Sequence, residues 1–109
     1  MATTNLQSGA CIGTEGFDIL ENSIAKLTPP QEASYCIIQF IDDSNPTTPI
    51  VCVTEGTNNP SDDYTGQEGF ILNNFALYQC ENKAAMDNLK ITAMAGGSNK
   101  VKARVLYYK

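Results

Sequence analysis

The chain has 109 residues, 42% of them hydrophobic, and a net charge of −5. This is enough apolar material for one folded domain and excludes a disordered chain. No apolar run approaches the roughly 20 residues that span a bilayer, and an acidic chain repels nucleic-acid phosphates. We therefore expect neither a membrane nor a nucleic acid as the direct partner.

The first residues are polar and predict an N-terminal arm over residues 1–9, followed by a single domain over residues 10–109. They contain neither a basic segment nor an apolar one, so we expect no signal peptide. Two short apolar runs, 10–13 and 16–20, come next and predict one strand or a bent pair of strands. Residues 21–27 are interpreted as a short strand or one helical turn, which ends at the prolines of 28–30.

Residues 34–41 form the most hydrophobic segment and predict a central strand, because they are few and rich in β-branched and aromatic types. One face is wholly apolar, with Cys36, Ile38 and Phe40, and the other is mixed. Turn residues follow at 42–46. Residues 49–54 are interpreted as the return strand.

A polar connection of about fifteen residues spans 55–69, and loops of this length are usually functional or belong to an interface. Beyond it, residues 70–72 and 75–81 predict two strands separated by a bend at 73–74. Residues 82–88 predict a turn of helix.

Residues 89–108 show the clearest alternation of apolar and polar side chains, interrupted by turn residues at 96–99. This pattern predicts a C-terminal hairpin. A loop of three or five residues would place Ile91 opposite Val105 or Ala103 and keep the apolar side chains on one face. Such a register directs four polar side chains outward: Lys90, Thr92, Lys102 and Arg104.

About seven short strands with little helix and no internal repeat indicate an all-β protein. The expected architecture is a single antiparallel β-sandwich or a jelly-roll-like barrel.

Residue types that carry catalysis are scarce. The chain has no His, and no Ser lies in a Gly-x-Ser-x-Gly context. Adjacent carboxylates at 42–43 and 62–63 are oxygen ligands that suit calcium, but without EF-hand spacing they are better explained as solvated turn residues. We predict no enzyme, no catalytic residue, no metal site and no cofactor.

The four cysteines, Cys11, Cys36, Cys52 and Cys80, lack the spacing of a zinc site. Buried free thiols are the main expectation, since Cys36 and Cys52 fall in predicted strands. A disulfide is the alternative, and three pairings are open.

Charge is divided along the chain. Residues 1–82 contain eleven acidic residues and one basic residue, whereas residues 83–109 contain six basic residues and one acidic residue. A solvated surface explains this split equally well, but a basic hairpin face could also dock on an acidic surface of another copy or another protein. The predicted interface residues are Lys90, Lys102, Arg104, Tyr64 and Tyr108.

Several stretches together resemble the small virion structural proteins of tailed bacteriophages, which decorate the capsid or occupy collar positions. The stretches that carry this resemblance are residues 2–9, 16–19, 27–29, 35–43, 89–93, 101–103 and 107–109.

The resemblance implies a non-enzymatic capsid decoration or auxiliary protein, made in the host cytoplasm and found in the virion. Its implied partners are the major capsid protein or neck components, and it implies homo-oligomers, often trimers. An alternative of another class is a carbohydrate-binding β-sandwich module, which would require an exposed aromatic platform or groove.

Overall fold

The computed structural model describes residues 10–20, 23–44, 49–61, 66–94 and 101–109. Within these residues the chain forms seven β-strands and one short helix. They are, in order, β1 (Cys11–Ile19), β2 (Tyr35–Asp42), β3 (Val51–Glu55), β4 (Phe70–Leu72), β5 (Leu77–Cys80), α1 (Lys83–Asn88), β6 (Leu89–Ala93) and β7 (Val101–Tyr108). The predicted arm over residues 1–9 lies outside the described residues.

The strands form two antiparallel sheets. The first, sheet 1, has the order β1-β7-β2-β5, and the second, sheet 2, has the order β4-β3-β6. Buried apolar side chains of both sheets make one continuous core. The all-β class and the antiparallel sandwich are thus confirmed, and the sheets stay separate instead of closing into a barrel.

In sheet 1, the alternation of side chains shows which face of each strand packs on the core. Cys36, Ile38 and Phe40 on β2 are fully buried, as predicted, while the intervening residues are half-buried. On β7, every second residue from Val101 to Tyr107 is buried and the residues between them face outward. The period-two pattern therefore identified the inner faces of these two central strands correctly.

The predicted C-terminal hairpin is wrong. Both strands form, but β6 pairs with β3 in sheet 2, whereas β7 lies between β1 and β2 in sheet 1. Consequently Ile91 lies opposite Val53, not opposite Val105 or Ala103. Alternation specifies which face of a strand is apolar, but the partner is chosen by long-range packing. The predicted turn at 96–99 lies outside the described residues.

The predicted return strand is a second correction, because it does not pair with β2. Strand β3 pairs with β4 and β6, whereas β2 pairs with β7 and β5.

The long polar segment after β3 has a structural role. It packs on the outer face of sheet 2, where Thr54 Oγ1 donates to the Asn58 carbonyl at 2.7 Å and Cys52 Sγ donates to the Glu68 carbonyl at 3.3 Å. Thr92, which the sequence predicts to face outward, is buried on sheet 2.

Strand β1 and helix α1 agree with their predictions, and β1 is one continuous strand apart from a register shift near Cys11. Residues 21–27 were predicted as a short strand or one helical turn, but their described part forms only an isolated bridge between Ala25 and Ile91. Helix α1 begins after Asn82, whose side chain accepts a hydrogen bond from the Ala85 N–H at 2.8 Å, as expected of an N-cap. No described helix has the length and apolar character needed to cross a membrane.

Candidate interaction surface

One side of the sandwich leaves large apolar side chains in solvent. The exposed residues are Phe70 (71%), Phe75 (56%), Leu77 (65%) and Ile71 (42%), all on or beside the edge strands β4 and β5. We call this surface the open side. Among the described residues, nothing pairs with the outer edge of either strand. Large exposed apolar side chains beside unpaired strand edges are typical of protein-binding surfaces.

Local backbone geometry builds the open side. Gly69 has a φ of 103°, and a side chain there would meet the Val53 carbonyl at 2.6 Å, so the chain can enter β4 only with glycine at this position. Phe75 has a φ of 67°, which a bulky residue rarely adopts. Its N–H donates to the Phe40 carbonyl at 2.8 Å and fixes the turn into β5. A strained and exposed aromatic residue is a reason to look for function.

A cavity of about 490 Å³ opens between the two sheets on this side. Its lining combines Phe70 and Val53 with the polar side chains of Glu55, Gln67 and Tyr78. The Tyr78 hydroxyl donates to the Glu55 carboxylate across the cavity and so joins the two sheets. Burial and this hydrogen bond raise the pKa of Tyr78 well above its usual value, so the hydroxyl remains a donor at neutral pH.

The opposite side is bounded by the edge strands β1 and β6, and the edge of β6 is covered; we call it the closed side. The Ala93 N–H donates to the Leu20 carbonyl at 3.4 Å, and Ala25 and Ile91 exchange backbone hydrogen bonds of 2.8 and 3.0 Å. The strand edge of β6 is thereby occupied by the segment that follows β1.

A buried tyrosine strengthens the closed side. The Tyr107 hydroxyl donates to Glu15 at 2.5 Å, and Glu15 also accepts from the Thr28 N–H at 3.2 Å and the Thr28 hydroxyl at 2.5 Å. The pKa of Tyr107 is raised far above its usual value, mainly by burial and to a smaller extent by the hydrogen bond to Glu15. This tyrosine was expected at a strand position, but its hydrogen bonds to residues distant in sequence have no local signature.

The outer face of sheet 1 brings three of the predicted interface residues together. Lys102, Arg104 and Tyr108 alternate along β7 and face away from the core. The ring of Tyr108 stacks on Tyr35 with centroids 4.9 Å apart. A shallow groove of about 300 Å³ lies over Gly16, which has no side chain to fill it. Tyrosine and arginine on a flat sheet face are common in protein interfaces.

An ion pair reduces the positive charge of this face. Lys102 Nζ lies 2.9 Å from Asp18 Oδ1, with both side chains largely exposed. The hydrogen bond and charge of Asp18 raise the pKa of Lys102. Arg104 neighbours Gly16 across the ladder and forms no ion pair with any described residue, so it is the main uncompensated cation at this point of the face.

The other two predicted interface residues are not part of this group. Lys90 lies on sheet 2 and donates to the Thr57 carbonyl at 2.8 Å, so the predicted single basic face is divided between two sheets. Tyr64 lies outside the described residues. The sequence did not predict the exposed apolar side chains of the open side, although it did predict a functional or interface role for the connection 55–69, part of which lines the cavity. A further local signal is that β5 carries the apolar Leu77 on one face and Cys80 on the other.

One of the carboxylates that could suit calcium, Asp42, has a structural role. Asp42 is buried at the end of β2 and accepts from the Ser44 N–H and hydroxyl at 2.9 and 2.6 Å. Its backbone exchanges hydrogen bonds of 2.8 and 3.1 Å with the Asn74 side chain. No cluster of three metal-binding side chains occurs within the described part of the chain. These contacts hold the turn before β5, which carries Phe75.

No protein-family model, no curated protein and no solved structure matches this chain.

Proposed function

We propose that the protein is a non-enzymatic structural component of a virus particle, a capsid decoration or auxiliary protein that acts through contacts between protein subunits. The open side carries the proposal. It exposes apolar side chains that the fold does not need in solvent, next to strand edges that can accept a neighbouring chain. The resemblance to small phage virion proteins supplies the setting, the virion, and the expected larger partner, a capsid or neck protein.

The occupant that we propose for the open side is a second copy of this chain. Three carboxylates flank the open side: Glu55 ends β3, Glu68 lies two residues before β4, and Glu81 follows β5. The outer face of sheet 1 offers the complementary charge of Arg104, together with the exposed Leu106. Contact between these two different surfaces is head-to-tail and generates a ring, such as a trimer, or an open lattice.

Purified particles test the virion assignment. Particles would be isolated by gradient sedimentation from cells that produce them, and the protein content measured by quantitative mass spectrometry. The expected result is that this chain sediments with the shell protein in a fixed ratio. Recovery of the chain only in the soluble fraction would contradict the assignment.

Charge reversal tests the contact between copies. R104E should weaken assembly at low salt, and E68K should weaken it similarly, because each leaves like charges facing one another. Mixing R104E with E68K should restore assembly, because both contacts between unlike chains are complementary: one pairs the two reversed charges and the other keeps the native Arg104 and Glu68. K26E, a reversal at an exposed lysine on neither proposed surface, is the matched control. If R104E and E68K assemble as well as K26E and the wild type do, the proposed arrangement is wrong.

A carbohydrate-binding module is the second candidate, and the cavity on the open side favours it. Phe70 provides an exposed aromatic ring, and Glu55, Gln67 and Tyr78 provide hydrogen-bonding groups around it. This combination suits a sugar, which presents both apolar and hydroxyl faces. Glycan-array screening distinguishes the candidates. Binding of a defined glycan that F70A abolishes would favour the module, and an absence of binding with intact self-assembly would favour the structural role.

A further inference from the structure

Two cysteines face each other across the β2–β5 pair. Cys36 and Cys80 are direct partners in the antiparallel register, and both are fully buried. Residues opposite one another in such a ladder have Cα atoms about 4.5–5.5 Å apart. Disulfides join Cα atoms about 4.4–6.8 Å apart, so the Cα spacing of this pair lies within the range that the bond requires.

The other two cysteines have no such arrangement. Cys11 is exposed at the beginning of β1, and Cys52 is buried on the outer face of sheet 2, where it donates to the Glu68 carbonyl. The register therefore selects one of the possible pairings. We propose that Cys36 and Cys80 form a cross-strand disulfide site, which closes when the protein meets a small-molecule disulfide such as oxidised glutathione.

The reaction is a thiol–disulfide exchange in two steps. The Cys36 thiolate attacks one sulfur of oxidised glutathione, which forms a mixed disulfide and releases one glutathione thiolate. The Cys80 thiolate then attacks the Cys36 sulfur and releases the second. Overall the protein loses two thiol protons and two electrons, and oxidised glutathione is reduced to two molecules of glutathione.

The ionisation of the pair agrees with this order. A hydrogen bond from Cys80 lowers the pKa of Cys36, while the same interaction, burial and the neighbouring charge raise that of Cys80. While the two strands are paired, Cys36 is thus the more readily ionised thiol of the two. Access requires β5 to separate from β2, which is feasible because β5 is a four-residue edge strand. Oxidation would then link the edge strand β5 covalently to β2, and this effect does not depend on the proposed function.

The experiment uses the full chain carrying C11S, which prevents disulfides between molecules through the exposed thiol. Reduced protein is incubated with oxidised glutathione, unfolded, alkylated and analysed by intact mass and peptide mapping. We expect a product that lacks two hydrogens, a linked Cys36–Cys80 peptide, and alkylated Cys52. Reduction should restore the original mass, and exchange of the β5 amides should be slower by about tenfold or more in the oxidised form.

The C11S/C80A variant is the matched control and should give no linked peptide. Incubation times are set by hydrogen exchange of the β5 amides, so that the strand has opened many times before sampling. Recovery of Cys36 and Cys80 as alkylated thiols after that time, or with a separate glutathione on each, would overturn the proposal. A linked peptide involving Cys52 would overturn it as well.

Discussion

The two sides of the sandwich end their sheets in different ways. On the closed side, the edge of β6 is covered by the segment after β1, and Glu15 accepts three hydrogen bonds from Tyr107 and Thr28. On the open side, β4 and β5 end without a described neighbour, and a single tyrosine–glutamate bond crosses a cavity. The fold therefore covers the edge of β6 itself and leaves the edges of β4 and β5 available for the contact that we propose.

The same residue pair behaves differently in these two settings. Tyr107 is part of the core and bonds the half-buried Glu15, whereas Tyr78 and Glu55 line a cavity. A tyrosine–glutamate hydrogen bond is therefore not in itself evidence of a functional site. What distinguishes the open side is its larger set of exposed apolar side chains and the strained backbone of Phe75, whereas the described residues of the closed side expose Leu20 and Ile24.

Truncating one large side chain on each side should give the greatest contrast. Y107A removes a buried ring and leaves a cavity, so the free energy of unfolding should fall by about 3–5 kcal/mol. L77A removes a side chain that is 65% exposed and should change it by less than about 0.5 kcal/mol. Urea unfolding at protein concentrations that keep the chain monomeric measures both. Similar losses in the two variants would invalidate the comparison.

Replacing each glutamate by glutamine should separate the two tyrosine–glutamate pairs. E15Q weakens three hydrogen bonds at a partly buried carboxylate, and we expect a loss of about 1–3 kcal/mol. E55Q weakens one bond at an exposed carboxylate, and its loss should be less than half as large. Thermal or urea unfolding of the two variants provides the measurement, and a greater loss in E55Q would reverse the assignment of closed and open sides.

Alkaline pH should destabilise the protein through both tyrosines. Their pKa values are raised in the folded state, so the stabilisation is complete below the unfolded value of about 10 and declines as pH rises above it. Each tyrosine should contribute a slope of about 1.4 kcal/mol per pH unit. Y107F and Y78F should each remove one such contribution from the pH dependence of urea unfolding. Cysteine ionisation is common to all three proteins and cancels in the differences, so unchanged slopes would refute this account.

Relieving the strain at Phe75 should have the smallest effect, but of the opposite sign. Asparagine tolerates the left-handed conformation, so F75N should leave stability unchanged or raise it by up to about 1 kcal/mol. Self-assembly should weaken at the same time, because the exposed ring is lost. Stability from urea unfolding and mass from sedimentation would be measured on the same samples. A destabilised variant with normal assembly would show that Phe75 serves the fold.

The sequence predicts which face of a strand is buried, but it does not predict which strands pair with one another. Alternation identified the buried faces of β2 and β7 because it reports directly on which side chains avoid water. It could not show that β6 crosses to sheet 2, since residues 89–108 have the same period whether or not their strands pair. Proximity along the chain favoured a hairpin, and long-range packing overrode it.

The candidate surface was only partly predictable for the same reason. Lys102, Arg104 and Tyr108 share a face because they alternate on one strand, which a local pattern can show. Lys90 was predicted on the same face only because the sequence predicts a hairpin that the structure does not form. The open side depends on β4 and β5 ending their sheets at the same side of the sandwich, and this is a property of topology that no local stretch encodes.

Mass in solution, measured by light scattering, tests the central claim most directly. The wild type should give a salt-sensitive multiple of the 11.8 kDa chain, and L77S on the open side should shift it towards the monomer. L20S replaces a leucine of similar exposure (51%) on the closed side and should assemble as the wild type does. A wild type that is monomeric at every salt and concentration, or an equal response to L77S and L20S, would contradict the account.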